Sequence, residues 1–275
     1  MTDPWARPQP QWQPGPPSAP PQKGSALPAK LKNFFSDPLS IVLVAVIVVA
    51  LVLAGLLGGE LYARHRADTV VASTVECVVQ DEATASFGVL PPFLMQHMSG
   101  HYTNIHIETA GNQVRDAKGM KLNLDINDVR LQDSANSSGT IGSLVATIDW
   151  SSDGIKQTIQ GAIPLIGSFV SGVSTNASEG TIELEGALGS ITAKPQVVDG
   201  NITLAVQQVT GLGFTLPRES VQPALDAFTS TLTQNYPLNI KADSVSVTDS
   251  GVQSRLSTQN ATMPKQTDDP CFGNF

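Results

Sequence analysis

The chain has 275 residues, a net charge of −8 and two cysteines, with 41% hydrophobic but only 5% aromatic residues. From residue 61 onward 21 acidic residues outnumber 12 basic ones. That excess argues against nucleic acid, whose binding rests on neutralised phosphates, and against broad electrostatic adhesion to anionic lipid.

Residues 1–38, containing "DPWARPQPQWQPGPPSAPPQKG", are dense in proline, glutamine and glycine. Such a segment cannot bury a core and reads as a disordered, solvated spacer. Residues 39–59, "LSIVLVAVIVVALVLAGLLGG", then run 21 positions without a charge. About 20 apolar residues at about 1.5 Å rise cross a hydrocarbon core of about 30 Å, whereas the apolar part of a signal peptide is about 7–15 residues long. The run is therefore read as an uncleaved membrane-spanning helix, a signal anchor, with cleavage near Gly59 as the alternative. Lys30 and Lys32 before the span favour a cytoplasmic N-terminus, but Arg64 and Arg66 beyond it blunt the charge bias. The cysteines add a second argument. Cys77 and Cys271 stand at the two ends of the post-span region, as a disulfide staple would, and such a bond persists only in an oxidising compartment. Two unrelated buried thiols are the alternative. Residues 60–275 are thus expected outside the cytoplasm, as one domain anchored in the plasma (inner) membrane by a single pass.

Within that domain "YARHRADTVVASTVECVVQDEATA" (62–85) has helical spacing, with Val71, Val75, Val78 and Val79 on a seam. "NIHIE" and "MKLNLDI" alternate apolar and polar residues, the mark of antiparallel strands with one dry face. "GIKQTIQGAIPLIGSFVSGV" (154–173) places Ile155, Ile159, Ile163, Ile166 and Val170 near one side of a helix that Gly161, Pro164 and Gly167 should break. Its surplus apolar residues fit either a buried connector or a lipid-facing element. "TIELEG" and "NITLAV" are strands again. "PRESVQPALDAFTSTLTQNYP" opens on Pro217 and aligns Val221, Leu225, Phe228 and Leu232 as a helix. "SVSVTDSGVQSRL" is a hairpin turning at "TDSG".

"FGVLPPFLMQHMSGHYTNIHIE", followed by "GMKLNLDINDVRL" and later "YPLNIKADSVSVTDSGVQSRLS", resembles the LmeA-like phospholipid-binding family of actinobacteria over roughly residues 61–263. The C-terminal "KQTDDPCFGNF" and the apolar density of residues 150–180 depart from that pattern. The resemblance implies an α+β fold of the tubular lipid-binding type, a curved antiparallel sheet wrapped around long helices with an apolar groove for acyl chains. Phe93, Leu94, Met95 and Met98, together with Ile163, Leu165, Ile166 and Phe169, are the candidates to line the groove or its mouth, and a plain hydrophobic core is the alternative for them. Arg115, Lys118 and Lys121 are placed at the rim, for a phosphate.

His97, His101 and His106 cluster in sequence, but Gly100 and Tyr102 interrupt a helix there and no carboxylate completes a zinc set. No G-x-S-x-G elbow or phosphate-cradling loop is present. Asp125, Asp128, Glu183 and Glu185 alternate with apolar residues and read as the wet face of strands. The expectation is a non-enzymatic, membrane-anchored, periplasmic lipid-binding domain without a cofactor. It would take phospholipid or envelope glycolipid and serve envelope lipid transport or maintenance, with an envelope protein as a further partner. The alternative is a scaffold ectodomain that recruits an envelope enzyme and carries no lipid.

Overall fold

A computed structural model describes residues 37–162, 170–233, 237–265 and 271 of the chain. The chain divides between Gly55 and Leu56 into two compact units. Helix α1 (Pro38–Val79) begins where Asp37 accepts the N–H of Leu39 on its side chain and that of Ile41 on its carbonyl. Residues 39–59 are apolar on every side. Beyond Glu60 the helix becomes one-sided: Ala63, Ala67, Val71 and Val75, at steps of four, pack on the core of the second unit, and Val79 is buried. Sequence spacing carried this helix to Ala85. Instead it stops at Val79, Gln80 turns at φ 61°, and Ala83–Phe87 form strand β1 by pairing with His101–Thr109, strand β2. A strand partner outweighed local helical spacing there.

The largest sheet has six antiparallel strands. After β1 and β2 come β5 (Met120–Leu131), β6 (Ser137–Ser151), β13 (Gly251–Pro264) and β12 (Lys241–Thr248), and a small β3–β4 ribbon (Gln113–Val114, Ala117–Lys118) precedes β5. Side chains line up in rows across it. One row runs Ala85, Ile107, Leu124, Ala146, Leu256 and Ala242, through all six strands. Another runs Phe87, Ile105, Ile126, Leu144 and Thr258. The dry face expected from the alternation of "MKLNLDI" is this one.

The alternation then breaks in four strands together. Pairing passes over Thr103, Asp128, Gly142 and Asn260, which stand opposite one another. Asp128 and Asn260 have φ of 56° and 52°, a region that Asp and Asn tolerate better than most residues. A Cβ on Gly142 would lie 2.7 Å from that of Asp128, so only glycine fits. Past this seam Val129, Ile141 and Ala261 join the same core as Ile105 and Leu144, although an odd step separates Ile126 from Val129. The seam resets which residues face inward.

The second sheet orders β11 (Phe214–Thr215), β10 (Asn201–Gly211), β9 (Gly189–Val198), β8 (Thr181–Gly186) and β7 (Val170–Asn176). Its core joins Ile182, Leu184, Ala193, Val206 and Val209 to Ile155 and Ile159 of α3 (Ser152–Ala162) and to Leu225 and Phe228 of α4 (Gln222–Thr233). Val206 and Val209 are three apart yet both buried, because a bulge lies between Val206 and Gln208. Gln222 covers the backbone there: its Oε1 accepts the N–H of Val206 at 2.9 Å and its Nε2 donates to Leu204 O at 2.8 Å. Arg218–Ser220 form a separate 3-10 turn, so the predicted helix opening at Pro217 starts later, at Gln222. Val170, expected on the helix of 154–173, is the first residue of β7, where it bonds across to β8. Strand β12 serves both cores, through Ala242 in one and Val247 in the other. Its hairpin with β13 turns between Thr248 and Gly251, as "TDSG" implied.

Candidate functional site

The segment "GVLPPFLMQHMS" (88–99) contains no acidic residue, lysine or arginine. Residues 89–91 bend, with a cis peptide bond before Pro91, and helix α2 (Phe93–Ser99) follows Pro92. Gly100 ends α2 in the left-handed conformation, φ 64°, with its N–H directed at Gln96 O and His97 O. Seven residues leave α2 too short to persist alone, so its surroundings must hold it.

Three polar side chains do so. The Glu60 carboxylate accepts the free N–H groups of Phe93 and of Leu94, the latter at 2.9 Å, capping α2 from the other helix. Arg64, one turn on, donates to Gly88 O at 2.9 Å and to Phe87 O at 3.4 Å, and pairs with Glu60. Gln96, 1% exposed, donates to Gly88 O and Pro91 O at 3.0 and 2.6 Å and accepts the N–H of Thr103 at 3.0 Å. The N–H of Leu94, with that of Phe93 and the charge of Arg64, holds the Glu60 carboxyl below its ordinary range against the opposing pull of burial. Burial pushes the Asp68 carboxyl up, although it accepts the N–H of Phe87.

This clamp gives α2 two unlike sides. Phe93 is 4% exposed and meets Phe87 edge-on at 5.1 Å. Leu94 is half-buried. Met95 and Met98 point outward, Met98 being 88% exposed, and Val89 and Leu90 are exposed just before them. Of the four candidates here, Phe93 therefore sits in the core and the two methionines on the surface. Ile163, Leu165, Ile166 and Phe169 lie outside the described residues.

Arg115, Lys118 and Lys121 gather at the other end of the one-sided part of α1, where Arg115 N–H donates to Val79 O. Glu60 and Val79 are 19 helical steps apart, about 28 Å, so these cations do not adjoin α2. Lys121 is ion-paired with Glu108, and Lys118 bonds Gln113. The exposed Arg115 follows a turn built on Asp81, which accepts the N–H groups of Gly111, Asn112 and Gln113 and the side chain of Asn112. Burial pulls the Asp81 carboxyl up, but those four donors outweigh it and hold it low. Close by in sequence, Cys77 is joined to Cys271 by a disulfide with a Cα–Cα distance of 5.6 Å.

The three histidines do not converge. His97 meets Tyr102 Oη at 2.9 Å, His106 meets Asp125 at 2.8 Å, and His101 pairs with Asp128. Among the described residues no group of three or more His, Cys, Asp or Glu side chains is arranged to hold a metal. Glu60, Arg64 and Gln96 were missed as positioning residues. Their only sequence signal is the place of Glu60 as the first charge after the apolar run.

The family model for LmeA-like phospholipid-binding proteins matches residues 54–257. The uncharacterized protein Mb0489c of Mycobacterium bovis is 56% identical over 240 residues, 87% of this chain and 69% of its own length. The uncharacterized protein Rv0479c of Mycobacterium tuberculosis matches with the same identity and coverage. No solved structure matches the chain. With a family model covering most of its length, the chain belongs to the LmeA-like phospholipid-binding family.

Proposed function

We propose that the chain is a single-pass protein of the inner membrane whose extracytoplasmic domain, residues 60–275, holds the acyl chains of a phospholipid and serves envelope lipid or glycolipid transport or maintenance. Residues 1–38 would be the cytoplasmic tail and 39–59 the span. One observation carries the reading. Leu122, Leu124, Ile126 and Ile148 stand on the dry face of β5 and β6, central strands of the largest sheet, yet remain only half-buried. Each methylene removed from water stabilises by about 0.8 kcal/mol, so an aliphatic surface left partly open suits a chain that completes the cover. Binding of this kind needs no catalytic group.

The tubular lipid-binding arrangement is part of the same proposal. The seam Ala63, Ala67, Val71 and Val75 against the aliphatic sheet supports it. Arg115 remains the candidate head-group contact, since Lys121 is engaged by Glu108. Ile163, Leu165, Ile166 and Phe169 complete the proposed lining.

The test is native mass spectrometry of the domain released without detergent, by a protease site inserted after Gly59. A phospholipid mass bound to the folded domain is the expected result. A lipid-free domain that also takes none from vesicles would overturn the reading and leave the scaffold alternative, with an envelope protein as partner.

A further inference from the structure

We propose that residues 88–99 are a second membrane contact, in which Val89, Leu90, Met95 and Met98 enter the outer face of the bilayer. This rests on the reading of 39–59 as a span.

Four large apolar side chains stand exposed within ten residues, Leu90 at 79% and Met98 at 88%. Single exposed apolar residues need no explanation, but a cluster in a segment without acid, lysine or arginine marks an interaction site. Chain connectivity names the occupant. Glu60 directly follows the uncharged run, and its carboxylate holds Phe93 and Leu94, while Arg64 holds Gly88. Glu60 to Arg64 is about 6 Å of helix, and the head-group layer on each side of the hydrocarbon is about 5–7 Å thick. A segment tied to this one turn is therefore level with the lipid head groups. The same turn carries Tyr62, which is exposed and of the type enriched at membrane interfaces. Methionine side chains, flexible and polarizable, fit a surface as irregular as the acyl boundary. The buried Gln96 fixes the segment's inner side, so the methionines are presented outward from an already ordered backbone.

The test uses the full chain in vesicles of equal phosphatidylglycerol and phosphatidylcholine. Because Cys77 and Cys271 are bonded, a cysteine introduced as Leu90→Cys or Met98→Cys takes an NBD label alone. Ser178→Cys, in an exposed turn, and Val48→Cys, within the apolar run, are the controls. Lipids spin-labelled near the head group should quench the labels at 90 and 98 at least threefold more than the label at 178. Equal quenching at 90, 98 and 178, with strong quenching at 48 by lipids spin-labelled deep in the acyl chain, overturns the contact while the span stands. No quenching at 48, in a chain that fails to float with vesicles, removes the span and the contact with it. Lipid carried by the released domain is read separately, so its loss does not imitate either result. The labelled sites are exposed, and an unchanged melting midpoint confirms the fold; Met95→Cys replaces either variant that fails this check.

Discussion

The carboxylate of Glu60 accepts the backbone N–H of Leu94 at 2.9 Å across 34 positions of sequence. Through that bond the start of the one-sided part of α1 governs the shape of the segment that presents Met95 and Met98. Glu60→Ala strands the N–H groups of Phe93 and Leu94 and should cost about 1–3 kcal/mol of local stability. The loss should appear as faster amide exchange confined to residues 87–99. The pH dependence has a definite sign. A carboxyl held below its ordinary value of 4.5 in the folded state contributes fully above that value and loses its contribution as pH falls through the folded one. Protection at Leu94, corrected for intrinsic exchange, should stay flat from neutral pH down to about pH 5 and decline only below it. A decline beginning near neutral pH would show that another group holds the segment.

The two sides of α2 make opposite predictions. Phe93→Ala removes a ring from the core and should lower stability by about 3–5 kcal/mol. Gln96→Leu keeps the volume but leaves Thr103 N–H and Pro91 O unpaired, with Gly88 O still held by Arg64, at about 2–3 kcal/mol. Met98→Ser should stay within about 0.5 kcal/mol of the parent, as an exposed position does. Denaturant midpoints decide the matter, and a large loss for Met98→Ser would place that side chain inside.

The Cys77–Cys271 bond closes a loop of 194 positions. Chain-entropy reasoning gives about 5 kcal/mol for so long a loop, and measured values often fall short of the model. Reduction should lower the melting midpoint clearly, and non-reducing peptide maps of exported protein should contain the linked pair. Free thiols at both positions in exported protein would contradict the bond and the oxidising location argued from it.

Arg115 and Lys121 should respond differently. If Arg115 meets a head group, Arg115→Gln lowers retention of anionic phospholipid severalfold while leaving stability unchanged. Lys121→Gln removes a well-exposed ion pair with Glu108, so its stability should stay close to the parent's. Equal lipid retention in Arg115→Gln and the parent, measured by extraction, removes Arg115 from the site.

Topology has its own check. Protein purified from membranes should keep residues 1–38, and these should be digested by protease only when the cytoplasmic side is opened. An N-terminus near residue 60 would show cleavage in place of anchoring.

Much of this architecture is local in origin and is therefore legible in the sequence. The uncharged run of 39–59, the alternation of Leu122, Leu124 and Ile126, the turn "TDSG", and the buried pairs Ile155 with Ile159 and Leu225 with Phe228 follow from periods that backbone geometry imposes within a few residues. What depends on partners remote in sequence is not legible in this way. Helix α1 ends at Val79 because β2 offers residues 83–87 a strand to pair with. The inward-facing residues reset at Thr103, Asp128, Gly142 and Asn260 because four strands align one irregular position each. Within "FLMQHMS" nothing in the spacing distinguishes Phe93, which goes inside, from Met98, which stays out. Glu60, Arg64 and Gln96 make that choice by capping the first N–H groups of a seven-residue helix and the carbonyls of the segment that leads into it, and two of the three lie more than twenty residues away.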